Sequence, residues 1–166
     1  RRGGEGVRSE EETNQAVERY GDTVRRLCMI HLKNEADTQD IFQTVFLKYL
    51  LHDKPFESGE HEKAWFIRVT LNACKDLLRS FFRRNTVPLE ELTGQADQLT
   101  RQGREVLAAV LALPQKERQV VYLHYYEGYT APELSRLLGK NVNTIYTTLA
   151  RARAHLKETL GGEDHG

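Results

Sequence analysis

Residues 127–160 read EGYTAPELSRLLGKNVNTIYTTLARARAHLKETL, and they predict two helices joined by a tight turn. Ala131, Leu134, Leu137 and Leu138 recur at helical spacing and mark the buried side of a first helix over about 131–138. Gly139 follows, a residue that takes positive φ without a Cβ penalty where a helix ends. Asn141 suits the N-cap of a second helix, because its side-chain oxygen accepts from a backbone N–H that would otherwise lack a partner. Val142, Ile145, Leu149, Ala152 and Leu156 then form one apolar stripe by their three- and four-residue spacing. The other faces carry Asn143, Thr144, Tyr146, Thr147, Arg151, Arg153 and Lys157. From Lys140 to Lys157 there are four lysines and arginines and no acidic residue. A short helix, a glycine turn and a second helix with polar and basic faces form a helix-turn-helix of the kind that reads DNA.

At 166 residues, the chain is long enough for one domain of ordinary size or two small ones. Lysine plus arginine equals aspartate plus glutamate, 24 each, so bulk charge does not announce a nucleic-acid partner. Local charge says more. Ala64–Arg84 carries five basic residues against one acidic, whereas the first 63 residues carry 13 acidic against 10 basic. Basic faces on a neutral chain suit a protein that touches DNA with help, rather than gripping a phosphate backbone alone.

Outward from the opening stretch, Arg1–Glu12 is polar, charged and glycine-containing and reads as a flexible tail. The RRGGEG start without an initiator Met reads as a trimmed or tagged end. Helical pattern runs from Thr13 to about Leu32, with Tyr20, Val24, Leu27 and Cys28 on one face. A second helix, about Ala36–Leu51, has two adjoining apolar rows: Ile41, Val45 and Tyr49 beside Phe42, Phe46 and Leu50. Residues 52–62, with Pro55 and Gly59, predict a loop. A third helix over about Lys63–Phe82 carries Trp65, Phe66, Val69, Ala73, Leu77 and Phe81, interleaved with Arg68, Lys75, Arg79, Arg83 and Arg84. Residues 85–103 lose the periodicity and gain Pro88, Gly94 and Gly103, which marks a linker. Helix resumes at Arg104, and Pro114 opens another to about Glu127 with Val120, Val121 and Leu123 buried. No useful β-pattern occurs. The expectation is an all-α protein: a tail (1–12), a first helical domain (13–84), a flexible linker (85–103), a helix-turn-helix domain (104–160) and a short tail (161–166).

The Trp65 helix admits two readings from its residues alone. Trp65 and Phe66 are core with solvated arginines around them, or aromatics and basic groups together hold unpaired DNA by stacking and phosphate contact. AWFIRVTLNACKDLLRS resembles the promoter-melting region of bacterial sigma-70 family sigma factors, most closely those of the extracytoplasmic-function (ECF) group. EADTQDIFQTVFLKYL resembles the helix with which those factors dock on RNA polymerase. LPQKERQVVYLHYYEGYTAPELSRLLGKNVNTIYTTLARARAHL resembles their C-terminal domain, which reads the −35 element. The three stretches are collinear, and the resemblance runs from about Asn14 to Leu160.

The resemblance implies roles residue by residue. Asp40, Gln43 and Thr44 match positions facing the β′ clamp helices of core polymerase, with Thr44 where a glutamate is common. The 53–62 loop, including Phe56 and His61, matches the segment that captures a base flipped from the −10 element. Trp65, Phe66, Asn72 and Arg79 match positions near the melted −10 strand, and Asp76 matches either that surface or a structural pair with an arginine. Asn143, Thr144, Tyr146, Thr147, Ala150 and Arg151 match the −35 surface. Tyr146 and Thr148 stand where basic residues are frequent, and Lys140 where an apolar one is. The C-terminal domain would sit near the β flap, and the acidic linker would follow the RNA exit path. An anti-sigma factor is a further candidate partner.

Cys28 and Cys74 lie in different predicted helices without a CxxC pattern, and they read as reduced structural thiols. The six histidines form no ligand spacing with cysteines or carboxylates, so no metal or other cofactor is expected. No nucleophile–base pair or phosphate-cradling loop appears, which argues against an enzyme. No apolar run reaches membrane-spanning length, so no membrane insertion is expected and the chain reads as cytoplasmic. The expected function is therefore an ECF-type sigma factor that binds core polymerase, recognises −35 and −10 elements and promotes melting. The rival readings are a stand-alone helix-turn-helix regulator and a sigma-like protein that titrates an anti-sigma factor.

Overall fold

The computed structural model describes residues 8–81 and 101–161, and among these all regular structure is helical. The chain divides into two compact units, Arg1–Val87 and Pro88–Gly166. Most of the expected linker, Arg83, Arg84 and the residues at either extreme of the chain lie outside the described residues.

The first unit holds α1 (Glu10–Leu32), α2 (Glu35–Leu51) and α3 (Gly59–Phe81). Helix α1 begins inside the segment expected to be tail, because Ser9 and Glu12 form a capping box. The Ser9 hydroxyl accepts from the Glu12 N–H at 3.0 Å, and the Glu12 carboxylate accepts from the Ser9 N–H at 3.1 Å. Lys33 ends α1 in the left-handed region at φ 56°, and Asn34 caps α2 by accepting from the Asp37 N–H at 2.9 Å. Helix α3 likewise starts earlier than expected, so residues 59–62 are helical rather than loop. Ser58 supplies the start: its hydroxyl accepts from the His61 N–H and its carbonyl from the Glu62 N–H.

Ala16, Tyr20, Val24, Cys28 and Leu32 recur every four residues along α1 and are buried against Ile41, Val45, Phe46 and Tyr49 of α2. Phe66 of α3 sits where the three helices meet. It is 0% exposed, with ring centroids 4.8, 5.1 and 4.9 Å from Tyr20, Phe46 and Tyr49. A ring buried this completely is worth about 3–5 kcal/mol against truncation to alanine. The same core brings Cys28 and Cys74 together, both free and buried, with their sulfurs 3.9 Å apart.

The second unit holds α4 (Arg101–Leu111), α5 (Gln115–Val121), α6 (Ala131–Leu138) and α7 (Val142–Leu160), with a π-turn over Tyr122–Tyr126 continuing α5. Buried Arg118 donates from Nη1 to the Leu113 carbonyl at 2.7 Å and reaches the Leu111 carbonyl at 3.4 Å. A guanidinium thereby covers the exposed carbonyl end of α4, where a cation also meets the helix dipole favourably. Leu123, Leu134, Ile145, Leu149 and Ala152 are buried and join the short helices to α7.

The helix-turn-helix forms as its residues predict. Thr130 and Glu133 close a capping box at the start of α6. Gly139 ends that helix at φ 67°, and the Asn141 side chain accepts from the Asn143 N–H at 2.7 Å to begin α7. Leu138 and Val142 are half-buried at the edge of the joint.

Candidate nucleic-acid interface

Helix α7 separates its two jobs by face. Ile145, Leu149 and Ala152 point into the core, which turns Asn143, Thr144, Tyr146, Thr147, Ala150 and Arg151 outward, all of them exposed. Tyr146 has more than half its surface free. Thr148 turns its hydroxyl back to the Thr144 carbonyl at 2.8 Å, which keeps it out of the outward row. Arg153 is drawn sideways, donating to the Tyr125 hydroxyl of the π-turn at 3.0 Å. Lys140 leaves its side chain exposed while its backbone N–H bonds the Ser135 carbonyl, so a charged residue fits this turn without entering the core. Such a helix offers hydroxyl, amide and guanidinium groups with the size and reach for a major groove.

On α2, Asp40, Gln43 and Thr44 are all exposed. Thr44 returns its hydroxyl to the Asp40 carbonyl at 2.9 Å. The exposed stripe continues into Leu47 and Leu51, 55% and 59% exposed. Residues 40, 44, 47 and 51 follow helical spacing, so two leucines extend the polar patch along the same face. Sequence periodicity did not single them out because each lies beside a core row, and only burial separates them from Phe46 and Leu50.

Between α2 and α3, rings gather around the 52–58 segment. Phe56 stacks on His52 at 5.0 Å and lies parallel to Tyr49 at 6.2 Å, with the edges of His61 and Trp65 at 5.3 and 5.8 Å. Trp65 also meets His52 at 5.1 Å and stands edge-on to Phe66 at 5.0 Å. Burial, then the neighbouring Arg8 charge, lowers the His52 pKa below its ordinary value. His61 is exposed and its Nδ1 accepts from the Glu57 N–H at 3.0 Å, which in the neutral ring leaves the proton on Nε2.

Phe56, His61 and Trp65 are thus brought together, with Asn72 and Arg79 exposed further along α3. Phe66 is not part of this surface. It was expected beside a melted strand, but its ring is enclosed by three helices and reaches no solvent. It supports Trp65 from beneath. Asp76 pairs with Arg79 at 3.8 Å, both well exposed, a contact of little energetic weight in water. Sequence reasoning also missed Arg8, whose guanidinium lies over the Tyr49 and Phe56 rings at 4.6 and 5.0 Å. Among the described residues no group of histidine, cysteine and carboxylate is placed to hold a metal, and no helix is long and apolar enough to cross a membrane.

Comparison with known proteins gives this arrangement a family. The sigma-70 region 2 family model matches residues 16–84, and the sigma-70 region 4 model matches residues 103–156. The ECF RNA polymerase sigma factor SigM of Mycobacterium tuberculosis is 30% identical over 151 residues, spanning 89% of this chain and 76% of that protein. The sigma factor RpoE, solved in complex with the anti-sigma factor NepR from Bartonella quintana, has the same fold, with a TM-score of 0.71 at 18% identity over 92% of this chain and 99% of that one. CnrH, solved in complex with the cytosolic domain of CnrY, gives a TM-score of 0.63 at 25% identity over 94% and 92%. The chain belongs to the ECF RNA polymerase sigma factors of the sigma-70 family.

Proposed function

We propose that the two units divide promoter recognition between them. The helical unit from 13 to 84 docks on the β′ clamp helices of core polymerase through Asp40, Gln43 and Thr44 and opens the −10 element. The unit from 104 to 160 reads −35 duplex near the β flap, and the residues from 85 to 103 link the two. The observation that carries this reading is the order of matches: region 2 precedes region 4 on one chain, each on its own compact unit.

Within that division, Asn143, Thr144, Tyr146, Thr147, Ala150 and Arg151 face the major groove, with Arg151 suited to a guanine edge or a phosphate. His61, Trp65 and Phe56 hold an unpaired −10 base, while Asn72 and Arg79 follow the strand beyond it. Stacking of this kind contributes roughly 1–3 kcal/mol per base. Leu47 and Leu51 add apolar contact to the polymerase surface. The chain itself performs no catalysis and works in the cytoplasm. A chain of net charge +0 leaves most of the phosphate affinity to core enzyme. An anti-sigma factor as a further partner fits the same reading, since RpoE, of the same fold, is solved in complex with the anti-sigma factor NepR.

Purified protein added to core polymerase should produce run-off transcripts from a promoter library. Arg151→Ala should reduce −35-dependent transcription about tenfold, the order of one lost specific contact, while core binding stays intact. Tight sequence-specific duplex binding without core enzyme would favour a stand-alone regulator. Absence of core binding would sink the assignment.

A further inference from the structure

Arg8 stands one residue before the Ser9 cap of α1, yet its contacts reach across the first unit. Its backbone N–H donates to the Leu50 carbonyl at 3.0 Å, one of the last carbonyls of α2. A guanidinium nitrogen, Nη2, donates to the Lys54 carbonyl at 3.0 Å. The plane of the same group lies against Tyr49 and Phe56. Nε is buried without a hydrogen-bond partner, so ring faces and one loop carbonyl hold the guanidinium. One residue therefore ties the end of α2, the backbone of the 52–58 segment and the ring at its centre to the first turn of α1, the backbone through Leu50 and the side chain through Tyr49, Lys54 and Phe56.

That segment has no helix or sheet of its own to define it. Phe56 takes its place from His52, Tyr49, Trp65 and Arg8. A loop that must receive an unpaired base binds more tightly when its shape is formed beforehand, because less ordering remains to be done on binding. Arg8 suits this task better than a lysine would. Its planar group stacks on rings and donates at its edge at the same time, which a point-charge ammonium does not do.

We propose that Arg8 is a positioning residue for promoter opening, holding Phe56 and the 52–58 loop in the shape that receives the flipped −10 base without itself touching DNA. The proposal rests on the loop being the site of base capture. It predicts that opening depends on a residue upstream of α1, outside the residues matched to region 2.

Trp65 is the only tryptophan in the chain and lies against Phe56, so its emission reports the loop directly. The test uses the full chain with Arg8→Ala, Arg8→Lys and, as a control, Arg25→Ala, which removes a similar cation–ring contact over Phe42. In free protein, Arg8→Ala and Arg8→Lys should each raise acrylamide quenching of Trp65 about twofold while the helical circular dichroism is kept. Assembled with core enzyme, both should bind a single-stranded −10 oligonucleotide about tenfold more weakly, with core affinity unchanged. Arg25→Ala should change neither reading. Unchanged quenching with unchanged oligonucleotide affinity would overturn the proposal. Tighter oligonucleotide binding by Arg8→Ala would also overturn it, because Arg8 would then be filling the slot a base needs. Wild-type holoenzyme that ignores the −10 strand would overturn the loop assignment itself, whereas wild-type binding matched by Arg8→Ala would overturn the Arg8 role alone.

Discussion

Tyr20 of α1 and Tyr49 of α2 share one acceptor: the Tyr20 hydroxyl donates to Oε1 of Glu62 at 3.0 Å and the Tyr49 hydroxyl to Oε2 at 2.7 Å. A carboxylate in the first turn of α3 thus ties all three helices of the first unit, at the helix end where its charge meets the dipole favourably. Each bond involves a charged acceptor, worth about 1.5–3 kcal/mol; losing it leaves the Tyr49 phenol in the core without its acceptor, while Tyr20 keeps the Gly59 carbonyl at 3.3 Å. Glu62→Ala should lower stability by about 3 kcal/mol and Glu62→Gln by about half that, read from urea unfolding. Arg19, 3.8 Å from Oε1 and well exposed, adds little, so Arg19→Ala should stay within about 0.5 kcal/mol of wild type.

The same triad gives the protein an alkaline weakness. Burial first, then hydrogen bonding to Glu62, raises both tyrosines above the ordinary 10.0. Below that pH both phenols are protonated, folded or unfolded, and the bonds contribute fully. Above it the unfolded chain releases protons that the folded chain keeps, so stability falls with rising pH. The slope is about 1.4 kcal/mol per pH unit for each tyrosine until the folded phenol ionises. Urea midpoints at pH 9, 10 and 11 test this, and a flat profile beyond pH 10 would contradict it.

Leu47 and Leu51 leave more than half of their surface in water on the stripe that carries Asp40 and Thr44. Exposed leucines support little of the fold, so Leu47→Asp and Leu51→Asp should shift thermal unfolding by less than about 0.5 kcal/mol. Each should weaken core polymerase binding at least about tenfold, or roughly 1.4 kcal/mol. Equal core affinity for wild type and both variants would remove these leucines from the docking surface.

Much of this was legible in the residues, and the misses share a cause. Helical periodicity placed the core rows of α1, α2 and α7, because a side chain repeating every three or four residues has one face to bury. The Asn141 cap was legible for the same local reason. Ser9 with Glu12, and Ser58, were equally local start signals, but glycine and charge around them outweighed two short capping patterns. Phe66 and Trp65 are neighbours in sequence and similar in chemistry. Only the meeting of α1, α2 and α3 decides that one is enclosed and the other borders the loop. Arg8 and Arg118 were invisible for the same reason: what they bond to is set by folding.

Cys28 and Cys74 are 46 positions apart in sequence and adjacent in the core. The Cys74 thiol donates toward the Cys28 sulfur, and that bond together with burial pushes its pKa up. Thiolate is the reactive form and both sulfurs are buried away from reagent, so native protein at pH 8 should be almost inert to an aromatic disulfide reagent. Both thiols should react together once urea unfolds the first unit. Fast reaction of one thiol in native protein would mean that α1 and α3 separate locally.

Gly139 closes α6 at φ 67°, and a Cβ built there meets nothing within 4 Å. A substitution at this turn should therefore cost conformation and no packing. Gly139→Ala should destabilise by about 1 kcal/mol and Gly139→Asn by less, since asparagine tolerates the left-handed region better. Because α6 and α7 keep their caps in both variants, holoenzymes carrying them should select the same −35 sequences as wild type from a randomised library. A loss well above about 2 kcal/mol, or an altered −35 preference, would show that the angle between the two helices depends on this one backbone position.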